Sequence, residues 1–182
     1  MKKKTHQPSE GEVFLADYFK GEGISFTSEK LIKGLAGDTK TFRKADFYLD
    51  RFNIYVEFYG MWNNSKKDRE RYREKKKVYY NNKIPCVYIY PENLGIIEFS
   101  FPRRAIQEFK RCGMKKKLVK FRMKYLWLYK QGNIIFLLIT LFVLIFGTFT
   151  WQEDQVLIIA MIAIVLYQVY NIQNWFKRYL LI

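Results

Sequence analysis

The spacing of apolar residues divides the chain into two parts. Residues 133–150 contain no charged side chain, and a second uncharged run follows at 156–176. Eighteen helical residues extend about 27 Å, close to the ~30 Å hydrocarbon thickness of a bilayer. We therefore predict transmembrane helices over 133–151 and 156–176, joined as an antiparallel hairpin. A buried helical hairpin in a soluble protein is the alternative.

Residues 1–113 show shorter periodic stretches, which predict a folded α/β domain with the element order α-β-β-β-α-β-α. Ser9 begins a helical pattern that ends near Phe19, with Glu12 three residues after Ser9 as in a capping box. Pro102 is expected in the first turn of the last helix, where its missing N–H is tolerated. The remaining pattern predicts strands over 24–32, 42–49, 53–59 and 86–91, and helices over 66–82 and 102–112.

Positive charge is concentrated before Gln131. Lys and Arg number 32 against 17 Asp and Glu, for a net charge of +15. After Gln131, Lys177 and Arg178 cancel Glu153 and Asp154, so the excess belongs to the first part of the chain. A field of this size attracts polyanions, either nucleic acid or an anionic membrane surface.

Residues 114–132 form a basic, aromatic segment directly before the first apolar run. Because basic residues also follow the second run, the positive-inside rule predicts a multi-pass membrane protein with both termini in the cytoplasm. A segment of this kind attracts anionic headgroups by about 1 kcal/mol per basic residue. Contact with nucleic acid is the second interpretation. Residues 1–12 contain no apolar stretch, so we expect no cleavable signal peptide.

Three acids stand where the pattern predicts buried surroundings. Asp46 lies in the second predicted strand and Glu57 in the third, among aromatic and aliphatic residues. Glu12 shares a helix face with Leu15 and Phe19, so its side chain is expected to point toward the sheet. Buried carboxylates are costly without a partner, and a metal cation is one such partner.

Each acid also has a purely structural interpretation. Asp46 can pair with Arg43 or Lys44 near the end of its strand, and Glu57 can be a sheet-edge charge paired with a lysine. Glu12 can act only as the second residue of the capping box. These alternatives remain open at the level of the sequence.

The order of these motifs resembles the PD-(D/E)XK nuclease superfamily, and most of all its small branch similar to very short patch repair endonucleases. The resemblance covers residues 9–94. It rests on "SEGEVFLADYF" with Glu12, "KADFYL" with Asp46, "YVEFYG" with Glu57 and Gly60, a helix bearing Tyr and Lys, and the strand "VYIYPENL". The resemblance implies a restriction-endonuclease-like αβββαβ core with a mixed sheet, within residues 1–113.

The resemblance also implies a reaction, the metal-dependent hydrolysis of phosphodiester bonds, with DNA favoured over RNA. The implied cofactor is Mg²⁺ or Mn²⁺. Its implied ligands are the side chains of Glu12, Asp46 and Glu57 and the main-chain carbonyl of Phe58, all of them oxygen donors of the kind that hard cations prefer. Asp46 and Glu57 are also the implied catalytic acids.

The sequence departs from the superfamily at one catalytic position. Members usually carry a lysine two residues after the strand glutamate, but Tyr59 stands there in this chain. Lys75 or Lys76, from the next helix, can take its place, and Lys76 is on the helix side expected to face the sheet. The histidine that the branch uses after the glycine is also absent. His6 is the only histidine in the chain, and we expect it to be a solvent residue rather than a ligand.

The sequence leaves two classes of function open. The first is a membrane-anchored, Mg²⁺-dependent endonuclease, a hydrolase whose active domain lies in the cytoplasm. The second is a catalytically inactive module for nucleic-acid binding or a membrane-accessory role, in which Tyr59 marks lost chemistry. Cys86 and Cys112 have no metal or redox spacing, so we expect free thiols.

Overall fold

The structure is a computed structural model that describes residues 7–150 and 155–180. The chain divides into two compact units, one ending at Leu118 and the other beginning at Val119. His6, Trp151 and the acidic connection at 152–154 lie outside the described residues.

The first unit is a mixed four-stranded sheet with helices on both faces. Its element order and its mixed sheet confirm the predicted α/β class. The elements are α1 (Glu10–Gly21), β1 (Thr27–Lys33), β2 (Phe42–Leu49), β3 (Ile54–Phe58), α2 (Lys66–Asn81), β4 (Cys86–Ile89), a 3₁₀-helix (Pro91–Ile96) and α3 (Ile97–Arg111).

The strands lie in the order β1-β2-β3-β4. The first three strands form an antiparallel meander, and β3 and β4 are parallel. A parallel pair needs a crossover connection, which α2 provides. Since α2 leaves the sheet after β3 and returns to β4, its inner side lies over the centre of the sheet.

Side chains of β3 alternate between the two faces. Tyr55 packs against the buried cluster that contains Val78 of α2, and Tyr59 stacks on Tyr72 of α2. Phe58 points the other way and contacts Gly11 of α1. Helices α1 and α3 share that second face, where the rings of Phe19 and Phe101 meet at 5.2 Å.

The prediction that Pro102 lies in the first turn of the last helix is wrong. Helix α3 begins at Ile97, so Pro102 lies in its interior. Ile97 and Phe101 are buried at 5% and 0% exposure. The burial of these apolar side chains extends the helix toward its N-terminus and offsets the hydrogen bond that Pro102 cannot donate.

The second unit is formed by two long helices, α4 (Lys115–Thr150), which begins in the last residues of the first unit, and α5 (Gln155–Leu180). The segments Lys115–Phe146 and Gln155–Leu180 are long and apolar enough to cross a membrane, and an 18-residue window within each has a mean hydropathy of 1.9 and 2.0, respectively. Their most apolar windows are only 6% and 0% buried, unlike the core helices of a soluble protein.

The helices of the second unit are antiparallel, as predicted. The rings of Tyr129 and Trp175 stack at 5.8 Å, and the Asn133 amide donates to the Gln168 side-chain carbonyl at 3.0 Å. Helix α4 has 36 residues and extends about 54 Å, more than the ~30 Å hydrocarbon core. The basic segment 114–132 is therefore mostly the first half of this helix rather than a separate element.

Candidate functional site

Strand β2 changes the direction of its side chains at Asp46. Ala45 belongs to the buried cluster that contains Val78 of α2. Phe47, two residues later, packs on Phe19 of α1, with the ring centres 5.5 Å apart. A regular strand would keep Ala45 and Phe47 on one face, so β2 is irregular at the acid between them.

The pairing of β2 with β3 ends at the same point. The last paired residues are Phe47 and Val56, one position before Asp46 would face Glu57. Instead, the main-chain N–H of Phe58 donates to Oδ2 of Asp46 at 2.6 Å. A side-chain hydrogen bond thus takes the place of the next ladder bond, and the two strands separate with one acid on each.

Glu57 is buried, and two side chains of α2 donate to it. Nζ of Lys75 lies 2.6 Å from Oε2, and the hydroxyl of Tyr79 donates to Oε1 at 3.1 Å. Burial and the neighbouring charge of Asp46 raise the pKa of Glu57 to about 8, against the lowering effect of Lys75 and Tyr79. Lys75 also donates to the main-chain carbonyl of Lys44 at 2.8 Å, which holds the ammonium group between β2 and β3.

Of the two candidate lysines, the structure brings Lys75 to the acids and turns Lys76 away. Nζ of Lys76 lies 5.0 Å from the ring centre of Tyr88. It lines a separate depression of about 220 Å³ that Arg104 also lines. Successive residues of an α-helix point about 100° apart, so neighbouring lysines of α2 cannot share one target.

Tyr59 belongs to the packed interior. It is fully buried, its ring stacks on Tyr72 at 4.1 Å, and its hydroxyl donates to the Tyr72 carbonyl at 3.2 Å. Burial raises the pKa of Tyr59 far above its usual range, so the side chain is neutral. It therefore cannot supply the positive charge of the lysine that the superfamily usually has at this position.

Glu12 completes the capping box of α1. Its Oε2 accepts the Ser9 N–H at 2.6 Å, and the Ser9 hydroxyl oxygen accepts the Glu12 N–H at 3.4 Å. Gly11 lets this turn approach the sheet, because a Cβ on Gly11 would lie 2.2 Å from the Phe58 ring. The start of α1 therefore lies directly against the end of β3.

The three acids line one open cleft of about 730 Å³. The lining contains five basic side chains against these three acids, so the cleft has a net positive charge. The cleft is lined by Glu12, Asp46, Glu57, Phe58, Tyr72 and Lys75, by Thr39 and Thr41 with Phe42, and by the basic residues Lys40, Arg43, Lys44 and Arg71.

The described residues do not contain a group of three or more His, Cys, Asp or Glu side chains that could hold a metal ion. The predicted three-acid set of Glu12, Asp46 and Glu57 is thus not assembled as such. Asp46 and Glu57 remain as a pair whose charges interact, and burial together with the charge of Asp46 raises the pKa of Glu57. Mg²⁺ is commonly bound by one or two carboxylates together with waters and phosphates, so the chemistry of this pair suits the cation.

A buried ion pair beside the cleft was not predicted from the sequence. The guanidinium of Arg43 lies 2.6 Å from Asp38 and 2.6 Å from Glu74, and the side chains of Arg43 and Asp38 are 3% and 1% exposed. The hydrogen bond from Arg43 lowers the pKa of Asp38. This pair ties the loop before β2 to β2 itself and to α2, which carries Lys75. The only sequence feature that pointed to this ion pair is Arg43 itself, a basic residue inside a predicted strand.

The structure agrees only in part with the interpretation that Asp46 and Glu57 are simply ion-paired with basic residues. Arg43, a possible partner of Asp46, binds Asp38 and Glu74, and Lys44 forms an ion pair with Glu29. Glu57 does bind a lysine, but in the protein interior rather than at a sheet edge.

Both cysteines are free. Cys86 is buried and Cys112 partly exposed.

Comparison with known proteins adds no relative, since no family model, no curated protein and no solved structure matches the chain. Its assignment to the PD-(D/E)XK superfamily stays a prediction.

Proposed function

We propose that the chain is a membrane-anchored, Mg²⁺-dependent nuclease that hydrolyses phosphodiester bonds, with DNA as the favoured substrate. One observation carries the proposal. Asp46 and Glu57 lie where β2 and β3 separate, and Lys75 is bonded to Glu57 within the same basic cleft. Two acids that can hold a divalent cation, with a lysine beside them, suit charge stabilisation of a bound phosphate.

Asp46, Glu57 and the carbonyl of Phe58 would hold Mg²⁺ or Mn²⁺. The bound cation would neutralise phosphate charge and lower the pKa of a water molecule. Glu12 lines the same cleft, but its carboxylate is engaged by the Ser9 N–H, so we assign it to the cap of α1.

The residues of the chain have separable roles in this proposal. Lys75 donates to a non-bridging phosphate oxygen and stabilises the charge that grows there during hydrolysis. Tyr79 and the Lys44 carbonyl orient the acid and the lysine through the bonds they already make. Lys40 and Arg71 lie on the cleft wall, where they suit contact with neighbouring phosphates.

The decisive experiment is plasmid nicking by the full chain, purified in detergent, with Mg²⁺ and with EDTA. Asp46→Asn and Glu57→Gln should each reduce Mg²⁺-dependent nicking by about 100-fold or more. Asp17→Asn is the matched control, because the Asp17 side chain is 67% exposed and forms a surface ion pair with Lys20. Undiminished nicking by both site variants would refute the assignment.

A non-catalytic nucleic-acid-binding module is the second candidate. The buried, neutral Tyr59 at the usual lysine position favours it. DNA binding that weakens steeply with salt, without cleavage in Mg²⁺ or Mn²⁺, would support this alternative. Vesicle binding without affinity for DNA would point instead to a membrane-accessory role.

We also propose that α4 and α5 span the membrane with both termini, and thus the active unit, in the cytoplasm. The charge distribution of the sequence supports this orientation. A Gln152→Cys chain without its native cysteines should react with an impermeant thiol reagent applied to the outside of cells. Labelling only after the cells are opened would contradict the orientation.

A further inference from the structure

Arg122 lies near the basic end of the second unit with an unmatched polar atom. Its guanidinium carbon is 5.9 Å from the ring centre of Phe176 in α5. Its Nε is buried and has no hydrogen-bond partner among the described residues. Arg122 as a whole is partly exposed, so an acceptor from outside the protein can reach the other N–H groups of its guanidinium.

No side-chain carboxylate lies among the described residues of the second unit. From residue 119 to residue 182 the only acids are Glu153 and Asp154, in the connection between the two helices. Arg122 is 28 residues from the end of α4, about 42 Å along the helix. The same unit carries six basic residues: Lys120, Arg122, Lys124, Lys130, Lys177 and Arg178. An anion from outside the unit would balance this positive charge.

Aromatic residues indicate how deep Arg122 would lie in a membrane. The rings of Tyr125, Tyr129, Trp175 and Tyr179 form a stacked series with centres 5.4 to 6.0 Å apart. Amphipathic rings collect at the boundary between hydrocarbon and headgroups. Arg122 precedes Tyr129 by about two helical turns on the side away from the apolar run, which puts it at the level of the lipid phosphates.

We propose that Arg122, near the basic end of α5, binds the phosphate of an anionic lipid headgroup. The inference rests on the proposed membrane anchorage and is independent of nuclease activity. A guanidinium can donate parallel N–H bonds to two phosphate oxygens while its face rests on an aromatic ring. Lys177 and Arg178 are exposed residues that directly follow Phe176 in sequence, and their charges add to the positive field at this end of α5.

The test is native mass spectrometry of the full chain in detergent, titrated with phosphatidylglycerol or phosphatidylcholine. Wild type should retain phosphatidylglycerol preferentially, and Arg122→Gln should weaken that binding about tenfold. Lys120→Gln is the matched control, because it removes the same charge from an exposed position two residues earlier. It should change binding less than about twofold. Arg122→Lys, which keeps the charge but not the planar fork, should fall between them.

Three results would overturn the site: equal losses in Arg122→Gln and Lys120→Gln, equal retention of the two lipids, or displacement of the lipid by inorganic phosphate at millimolar concentration. The last result would mean that the site takes free phosphate. Circular dichroism of each variant verifies that its helices are intact. Alkaline extraction separates the two proposals: a chain that leaves the membrane contradicts the anchor and the site together. Retention in the bilayer without headgroup preference contradicts the site alone.

Discussion

Lys75 of α2 lies 2.6 Å from Glu57 of β3, although 18 residues separate them in sequence. The crossover helix brings this lysine back over the strand that it follows. A charge that the superfamily usually places on the strand itself is thereby available from α2, and Tyr59 is free to pack in the core.

Replacing Lys75 distinguishes it from its neighbour in sequence. We expect Lys75→Met to lower Mg²⁺-dependent nicking by about 100-fold, because it removes the cation beside Glu57. Lys76→Met removes the same charge from the same helix but from the side that contacts Tyr88, so activity should change less than about threefold. Equal losses would assign both lysines to general attraction of DNA. Initial nicking rates at low salt provide the measurement.

The raised pKa of Glu57 makes stability depend on pH. Because that pKa is about 8 in the folded chain against an ordinary 4.5, the folded chain binds a proton that the unfolded chain releases between these values. This contribution to the free energy of unfolding is complete below about pH 4.5 and is lost as the pH rises through about 8.

Glu57→Gln should remove this dependence. Wild type should lose stability relative to the variant as the pH rises from about 5 to about 8, with no further change above about 9. Urea unfolding in detergent and EDTA, followed by near-ultraviolet circular dichroism, measures both. A constant difference between the two chains across this range would show that the buried acid does not titrate there.

Adding one methyl group at Gly11 tests the contact between α1 and β3. The new Cβ would lie 2.2 Å from the Phe58 ring, so Gly11→Ala must displace that ring or the first turn of α1. We expect a loss of about 1–3 kcal/mol in the free energy of unfolding. Gly21→Ala, at the other end of the same helix, meets nothing within 4 Å and should cost less than about 0.5 kcal/mol. Similar losses in both variants would contradict the close approach.

Arg43 should be far more important for stability than an exposed basic residue. Arg43→Met leaves the buried Asp38 carboxylate without its partner, which we expect to lower the free energy of unfolding by about 3–5 kcal/mol. Lys20→Met breaks the exposed pair with Asp17, whose side chains are 68% and 67% exposed, and should cost less than about 1 kcal/mol. Urea unfolding of the two variants provides the comparison, and equal effects would argue against a buried ion pair.

Local features of the chain were predictable. The capping box of Ser9 and Glu12 forms as predicted, because both residues lie within one turn. Strand β2 has the predicted bounds, because an uninterrupted segment without Gly or Pro precedes the turn that begins at Asp50. The start of the last helix was predicted wrongly from Pro102. The preference of proline for a first helical turn is outweighed here by the burial of Ile97 and Phe101.

The amino-acid sequence by itself determined the two apolar helices, the element order and the acids Asp46 and Glu57 as candidates. These features depend on periodicity, length and residue type, which act over a few neighbouring positions. Only the tertiary structure decided that Lys75 rather than Lys76 meets Glu57, and that Glu12 caps a helix instead of joining a three-acid group. The direction of a helix side chain and the separation of two strands depend on packing between distant segments, and a single sequence does not contain those contacts in readable form.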